Sequence, residues 1–505
     1  MRILLVNPPA GRLTRGLKDF VHLEPLALEI LAAAVPDHEV DILDLQFGSR
    51  FFDIPRFNRF EAKLREFEPD LVGVTATASH TYRAHELLQM ARRYDPEIQT
   101  VVGGQHPTLR PGEFQAPYID AIALGRGAST FAELVEKLEH GDGPESVPGL
   151  AIPHGDRLVR TPPRQRANTL ADQPLPDRSI TRQRRPDYYY AFVKPAAVVQ
   201  TSQGCTFSCN FCSVRCFTER RFLPQPVGRV VEDLRRLEET FVYFADDHTF
   251  LDPRRMGQLA DAIEEAGLQK RYLAYTRVDT VLRNPELFRR WADTGLDTVM
   301  MGLEAVDDRH LDAMDKRATA EDNRRALEIL EECGVGVAAG FVIMPDYTEE
   351  NFRAIEQFVA DHSNILTAEL TPYTPLPGTP LYDRVEDDLL NTHRELYDLT
   401  HFVLPTDLPA EKLQALVRKY YHRILRRCVA RLVRQQPSDM LQTHTLEVLG
   451  AMMKTSLDYR HTKIDAELPQ NIDWSARPDS SLEPVTARGD KTGDWAAENA
   501  EVPTG

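Results

Sequence analysis

Four of the chain's six cysteines fall within twelve positions of "TSQGCTFSCNFCSVRCF" (201–217). Cys205, Cys209 and Cys212 have the spacing C-x3-C-x2-C, and Cys216 lies four residues further on. So few cysteines in 505 residues do not make a disulfide scaffold, so thiols this crowded point to a metal centre. Two centres fit. A zinc knuckle would take all four thiolates, whereas a [4Fe–4S] cluster would take three on three irons and leave the fourth iron open for a small molecule. Zinc knuckles usually draw two C-x2-C pairs from separate turns, so a single C-x3-C-x2-C loop favours the cluster.

Such a loop needs a rigid frame. The strand candidate "AAVVQTSQG" (196–204) runs straight into the cysteines. "FVYFADD" (241–247), "YLAYTRV" (272–278), "DTVMMGLEA" (297–305), "GVAAGFVIM" (336–344) and "LTAELTPY" (366–373) follow, separated by helical stretches at 227–239, 253–267, 284–294, 320–333 and 349–362. This α/β alternation predicts a partial (β/α)6 barrel over 196–385, with functional groups gathered at the carboxyl ends of its strands.

Residues 1–135 alternate in the same way. The β-rich runs "RILLVNP" (2–8), "EVDILDL" (39–45), "LVGVTAT" (71–77), "QTVVGGQ" (99–105) and "AIALGRG" (121–127) are separated by helical periods such as 25–35 and 80–94. They predict a doubly wound, Rossmann-like parallel sheet whose crevice is lined by the loops after Asn7, Thr77, Gly104 and Gly125. Gly103, Gly104 and Gly125 permit close backbone approach to a ligand there. Residues 136–195, rich in proline and arginine, read as a linker with little regular structure. Residues 386–460 read as a helical C-terminal region, and 461–505 as a disordered polar tail.

The excess of 77 acidic over 60 basic residues, a net charge of −17, argues against general affinity for nucleic acid. "MRILLVNPPAG" has no signal-peptide pattern, and no run approaches the roughly 20 apolar residues of a membrane span, so the chain reads as cytoplasmic and reduced.

C-x3-C-x2-C with an aromatic, Phe211, before the last cysteine and at the end of a first barrel strand resembles the signature of radical S-adenosylmethionine enzymes. The resemblance implies that Cys205, Cys209 and Cys212 ligate the cluster, with Cys216 a neighbouring thiol. S-adenosylmethionine would chelate the fourth iron through its amino and carboxylate groups and be cleaved reductively to a 5′-deoxyadenosyl radical. Asp246 and Asp247, after the second strand, fall where relatives place groups near the amino group of S-adenosylmethionine. Arg277 ends the third strand and suits a charge-assisted contact with a carboxylate, and Glu304 ends the fourth in a recurrent Gly-x-Glu. Singly, each is as well explained by a helix N-cap or a surface salt bridge; their common register sets the group apart.

"LTPYTPLPGTPLYDR" (370–384) resembles the segment found in radical enzymes with an N-terminal cobalamin-binding domain, and the order of "ILLVNPP", "VDILDL", "PDLVGVTA" and "VVGGQHPTL" is similar to that domain. Two features depart from the pattern. The D-x-H-x-x-G motif that supplies a lower cobalt ligand is missing, leaving the lone histidines His80 and His106 near the crevice; and "LGRGAS" puts Arg126 and Ala128 where many relatives have carboxylates.

Within the family, "HLEPLALEILAAA", "YLAYTRVDTVLRNPELFRRWADTGLDTVMMGLEAVD" and "YDLTHFVLPTDLP" resemble the hopanoid C-3 methylases. That implies methyl transfer to an unactivated carbon of a polycyclic lipid, with one S-adenosylmethionine methylating cobalamin, another generating the radical, and a flavodoxin- or ferredoxin-type electron donor. The stretch 411–436 is a basic amphipathic helix, with Leu413, Leu416, Val417, Tyr420, Ile424, Leu425, Val429 and Leu432 on one face. Such a helix either packs against the barrel or makes a peripheral contact with an anionic membrane. Two other functions stay open: an oxidative cyclase of the anaerobic porphyrin type, and a zinc- or cobalamin-binding regulatory module. The Asp246, Arg277 and Glu304 set disfavours the module, which has no need of an S-adenosylmethionine pocket.

Overall fold

The computed structural model describes residues 1–11, 13, 20–46 and 56–435, together with Thr445, Val448, Gly450 and Ile472. Continuous apolar runs build the first sheet. Strands β1 (Arg2–Asn7), β2 (Glu39–Asp44), β3 (Leu71–Thr75), β4 (Gln99–Gly103) and β5 (Ala121–Ala123) pair in parallel in the order β2-β1-β3-β4-β5. Ile3 to Val6 are all fully buried because helices cover both faces. Leu4 and Val6 pack with Phe60, Leu64, Leu87 and Leu88 on one side, and Ile3 and Leu5 with Leu28, Ala32, Phe131 and Leu134 on the other.

The expected linker contributes to this sheet. Leu150–His154 (β6) and Arg157–Arg160 (β7) form an antiparallel hairpin that extends the sheet beyond β5, turning at Gly155, whose φ is +60°. Further along, the half-buried Arg178 binds the buried Glu24, Glu29 and Asp233, and it donates to the Val198 carbonyl at 2.7 Å. The expectation of little regular structure therefore fails for 150–160, and the arginines act as ties between the two sheets.

The second sheet has six parallel strands in chain order: β8 (Ala196–Val199), β9 (Phe241–Phe244), β10 (Arg271–Thr276), β11 (Leu296–Glu304), β12 (Gly336–Ile343) and β13 (Ile365–Pro372). Helices cover its outer face throughout, where Val242, Phe244, Ala274, Val299, Met301, Phe341, Ala368 and Leu370 join one core, and on the inner face Val198 and Tyr243 meet Leu26 and Ile30 of the helix Leu26–Ala33. Inward-facing positions, among them Tyr243, Tyr275, Met300, Gly302, Gly340 and Glu369, are half-buried around a lumen.

The helix Ala410–Gln435 forms as its spacing predicts. Leu413, Val417, Tyr420 and Ile424 lie in the barrel core, so this part of the apolar face packs on protein rather than lipid. Among the described residues no helix is long and apolar enough to cross a membrane. The expected disordered tail lies, apart from Ile472, outside the described residues.

Candidate active site

The cysteine loop begins where β8 ends, and two carboxylates, Asp246 buried and Asp247 exposed, fix its base. Asp246 is enclosed and accepts from the Thr201 N–H at 2.8 Å, the Thr201 hydroxyl at 2.6 Å and the Ser202 N–H at 2.8 Å. Burial raises its carboxyl against these bonds and the nearby Arg255. Asp246 thus ties the loop base to β9, and both its oxygens are already engaged. Asp247 is exposed, with one oxygen accepting from the Gly204 N–H at 2.7 Å. Gly204 has φ +94°, and a Cβ there would stand 1.9 Å from the Arg221 carbonyl oxygen, so the chain can turn into the loop only as glycine.

Within the loop, Cys209 is buried and Cys205 and Cys212 are half-buried. Burial pushes the Cys205 thiol up and the Cys212 thiol to about 11, and the charges of the neighbouring triplet cysteines add to both. Cys216, on the helical turn Val214–Phe217, is set against Arg215 and Asp383 instead. Cys205, Cys209 and Cys212 feel one another's charge while Cys216 does not share in it; among the described residues the side chains are not already gathered as a metal-binding group, and the three-plus-one division fits a three-thiolate cluster better than a four-thiolate zinc knuckle. Positive charge opposes the triplet. Arg277 donates to the Cys209 sulfur at 3.5 Å and to the Lys316 carbonyl at 2.8 Å, pairs with Asp279 at 3.0 Å, and lies 3.8 Å from the centroid of the Phe207 ring. The expected carboxylate partner of Arg277 is, within the chain, Asp279. Phe211 packs edge-on to Tyr373, whose hydroxyl donates to Asn210 at 2.7 Å, anchoring the far side of the loop to the proline-glycine segment.

Glu304 ends β11 with φ +62° and accepts from the buried Lys316 at 2.6 Å. Gly302 makes room for this: a Cβ there would lie 2.2 Å from the Glu304 carboxylate. Sequence reasoning missed Lys316, twelve residues beyond Glu304, whose only signal was a lysine in the loop after a charged strand end. It also missed Glu369, a lone acid in the apolar strand "LTAELTP". Burial pushes Glu369 up to about 7.

On the first sheet, Gly103 and Gly104 end β4. Gly104 has φ +110°, and a Cβ on it would stand 2.7 Å from the Ala76 carbonyl oxygen. Gly125, at φ +72°, has nothing within 4 Å of where a Cβ would stand, and it donates its N–H to Thr108 at 2.9 Å. Gly125 thus leaves open space at this edge, whereas Gly104 turns tightly against the Ala76 backbone; an open glycine at a strand end of such a sheet suits cobalamin. His106 is buried, with Nε2 3.0 Å from the Glu113 carboxylate, and His80 meets the Thr77 hydroxyl at 2.9 Å. Arg126 donates to the Thr169 carbonyl at 3.4 Å, and among the described residues it makes no ion pair. The two edges meet: Gln105 donates to Ser213, directly after Cys212, at 3.0 Å. Behind them Arg83 pairs with Glu395 and Arg394 with Glu113, each at 2.7 Å.

Comparison with known proteins agrees with this arrangement. The model of the radical SAM superfamily matches residues 199–359, and that of the B12 binding domain matches 19–135. A hopanoid C-3 methylase of Methylococcus capsulatus is 30% identical over 418 residues, 81% of this chain and 77% of the relative. An uncharacterized methyltransferase of Pyrococcus horikoshii is 30% identical over 83% of this chain and 92% of its own, and an anaerobic magnesium-protoporphyrin IX monomethyl ester cyclase of Cereibacter sphaeroides is 29% identical over 74% and 61%. In fold, the chain is similar to the radical S-adenosylmethionine methyltransferase TsrM of Kitasatospora setae (TM-score 0.60, 20% identity, 76% of each chain). It is also similar to the cobalamin-dependent radical enzyme OxsB (TM-score 0.62, 15% identity, 91% of this chain and 78% of that one).

Proposed function

Because the chain belongs to the cobalamin-dependent radical S-adenosylmethionine methyltransferases, we propose that it methylates an unactivated carbon of a polycyclic, largely apolar molecule of the hopanoid kind. The observation that carries this reading is the Gln105–Ser213 contact, which sets the glycine edge of a cobalamin-type sheet against the loop holding the three cysteines. A methyl carrier and a radical source must face one substrate, and this junction brings their binding edges together.

When bound, the cluster and S-adenosylmethionine supply a hydrogen-abstracting radical, and cobalamin supplies the methyl group. The chain's own residues position these groups. Cys205, Cys209 and Cys212 would hold three irons, with Arg277 offsetting charge at Cys209. The exposed Asp247, after β9, and the Glu304–Lys316 pair, at the end of β11, would orient the amino-acid part of S-adenosylmethionine. Gly125, with open space beside it, would let cobalamin approach the backbone, and Gly103 and Gly104 would shape the turn at the same edge. Thiols raised by burial must give up protons as iron binds, so assembly is favoured at higher pH.

The cyclase relative supports a second reading, oxidative ring closure on a porphyrin without methyl transfer. Anaerobic incubation of the reconstituted protein with methyl-deuterated S-adenosylmethionine, a reductant, and either pentacyclic triterpenoids or magnesium porphyrins separates the two. A triterpenoid heavier by one deuterated methyl group is the expected product. A porphyrin product with no label would replace methyl transfer with cyclisation.

A further inference from the structure

We propose that Glu369 and the Tyr243–Tyr275 hydroxyl pair form a subsite in the barrel lumen that takes a ring hydroxyl of the substrate. This rests on the reading that the lumen receives a polycyclic molecule, and it narrows that molecule from a hydrocarbon to an alcohol.

The side-chain parity of β13 places the carboxylate. Thr367, Glu369 and Thr371 are half-buried, while Ala368 and Leu370 between them lie in the outer core. Tyr243 and Tyr275 face inward by the same alternation, and their hydroxyls are 2.6 Å apart. The burial of Tyr190, Tyr243 and Tyr275 is felt together with the charge of Glu369, so the four polar ends share one region. The wall beside them is bare. Glu369 is in register with Gly340, and Gly340 with Gly302; a Cβ on Gly340 would meet nothing nearer than the Gly302 Cα at 3.8 Å.

Among the described residues, Glu369 makes no hydrogen bond or ion pair. Other enclosed acids do: Glu24 and Glu29 bind Arg178, Asp233 binds Arg178, Asp246 binds Thr201, and Glu395 binds Arg83. The half-buried Glu369 carboxylate faces the lumen with no protein partner among the described residues, and a ligand that donates to it would complete it. The tyrosine pair has the complementary surplus. One hydroxyl donates to the other, and the second O–H has no acceptor among the described residues. An alcohol satisfies both, donating to Glu369 and accepting from the tyrosine pair. An ammonium can only donate, and a hydrocarbon satisfies neither.

The test uses the full chain loaded with cluster, cobalamin and S-adenosylmethionine, and a pentacyclic triterpenoid with a ring-A hydroxyl beside its deoxy counterpart. Substrate-dependent 5′-deoxyadenosine formation should favour the alcohol by about tenfold in kcat/KM, the size of one unsatisfied hydrogen bond. Glu369→Leu should bring the ratio to about one by slowing only the alcohol, and Glu369→Gln should restore part of it. Should Glu369→Leu fail to fold, Tyr275→Phe takes its place with the same expected loss. Equal rates in the unsubstituted enzyme, or a preference that survives these substitutions, would overturn the subsite. If neither triterpenoid is turned over, the lipid reading fails and cyclohexanol decides the subsite. It should shift a carboxyl infrared band that Glu369→Leu lacks, while methylcyclohexane should not; no shift overturns the subsite as well.

Discussion

The two parallel sheets use their strands differently. In the first, helices cover both faces, Ile3 to Val6 are buried without interruption, and the glycines Gly103, Gly104 and Gly125 lie at or just beyond strand ends. In the barrel, helices cover the outer face throughout and the inner face only in part, at β8 and β9; burial alternates along β11 and β13, and polar side chains line the strands well below their ends. A doubly covered sheet can offer a cofactor only an edge. A curved sheet with just one face fully covered offers a wall, and here Glu369 and the tyrosine pair stand on it.

The contrast between the sheets is most exposed to attack at Gly204, where the barrel's first strand becomes the cysteine loop. Gly204→Ala would force a side chain into the Arg221 carbonyl at a backbone conformation that disfavours it. Iron and sulfide content should fall to background, with a stability loss of at least about 3 kcal/mol, read by urea denaturation. A variant with normal cluster content would mean that the loop is not held as described. Next in size is the tie between the sheets. Arg178→Met leaves the buried Glu29 and Asp233 without their arginine, with Glu24 still held by Arg185, and should cost about 3–5 kcal/mol. Little change in the urea midpoint would show that the sheets do not depend on this arginine.

The smallest effect concerns the wall itself. Glu369 keeps its proton to about 7, whereas in the unfolded chain it loses it near the ordinary 4.5. Between those values the unfolded state binds fewer protons, so this group's contribution to stability falls as pH rises from about 4.5 to 7 and is flat beyond. Glu369→Gln removes that slope. It should match the unsubstituted protein near pH 4.5 and be more stable at pH 8 by on the order of 2–3 kcal/mol. Identical pH profiles would place Glu369 in ordinary contact with water.

What the sequence disclosed follows the same division. Strand runs and the cysteine loop were legible because their signals are local: unbroken apolar stretches, and thiols within one turn of chain. Asp246 was found at the correct strand end, but its engagement with the Thr201 and Ser202 backbone depends on how β8 and β9 lie side by side, which spacing does not reveal. Glu369 and Lys316 were missed because their settings are made by distant strands and a crossover. The 150–160 hairpin escaped through its short strands and Pro153, although Gly155–Asp156 between β-rich runs is a two-residue turn signal. The amphipathic pattern of 411–436 was plain, but it does not distinguish protein from lipid, and the packing of Leu413, Val417, Tyr420 and Ile424 does.

The central claim is that three thiolates hold a cluster whose fourth iron stays open to S-adenosylmethionine. The most direct measurement is iron and sulfide content together with 5′-deoxyadenosine formation for Cys205→Ala, Cys209→Ala, Cys212→Ala and Cys216→Ala, all reconstituted alike. The first three should lose both the intact cluster and cleavage, while Cys216→Ala keeps both, as its separate setting against Arg215 and Asp383 requires. Equal loss in all four variants would contradict the claim and make Cys216 a ligand.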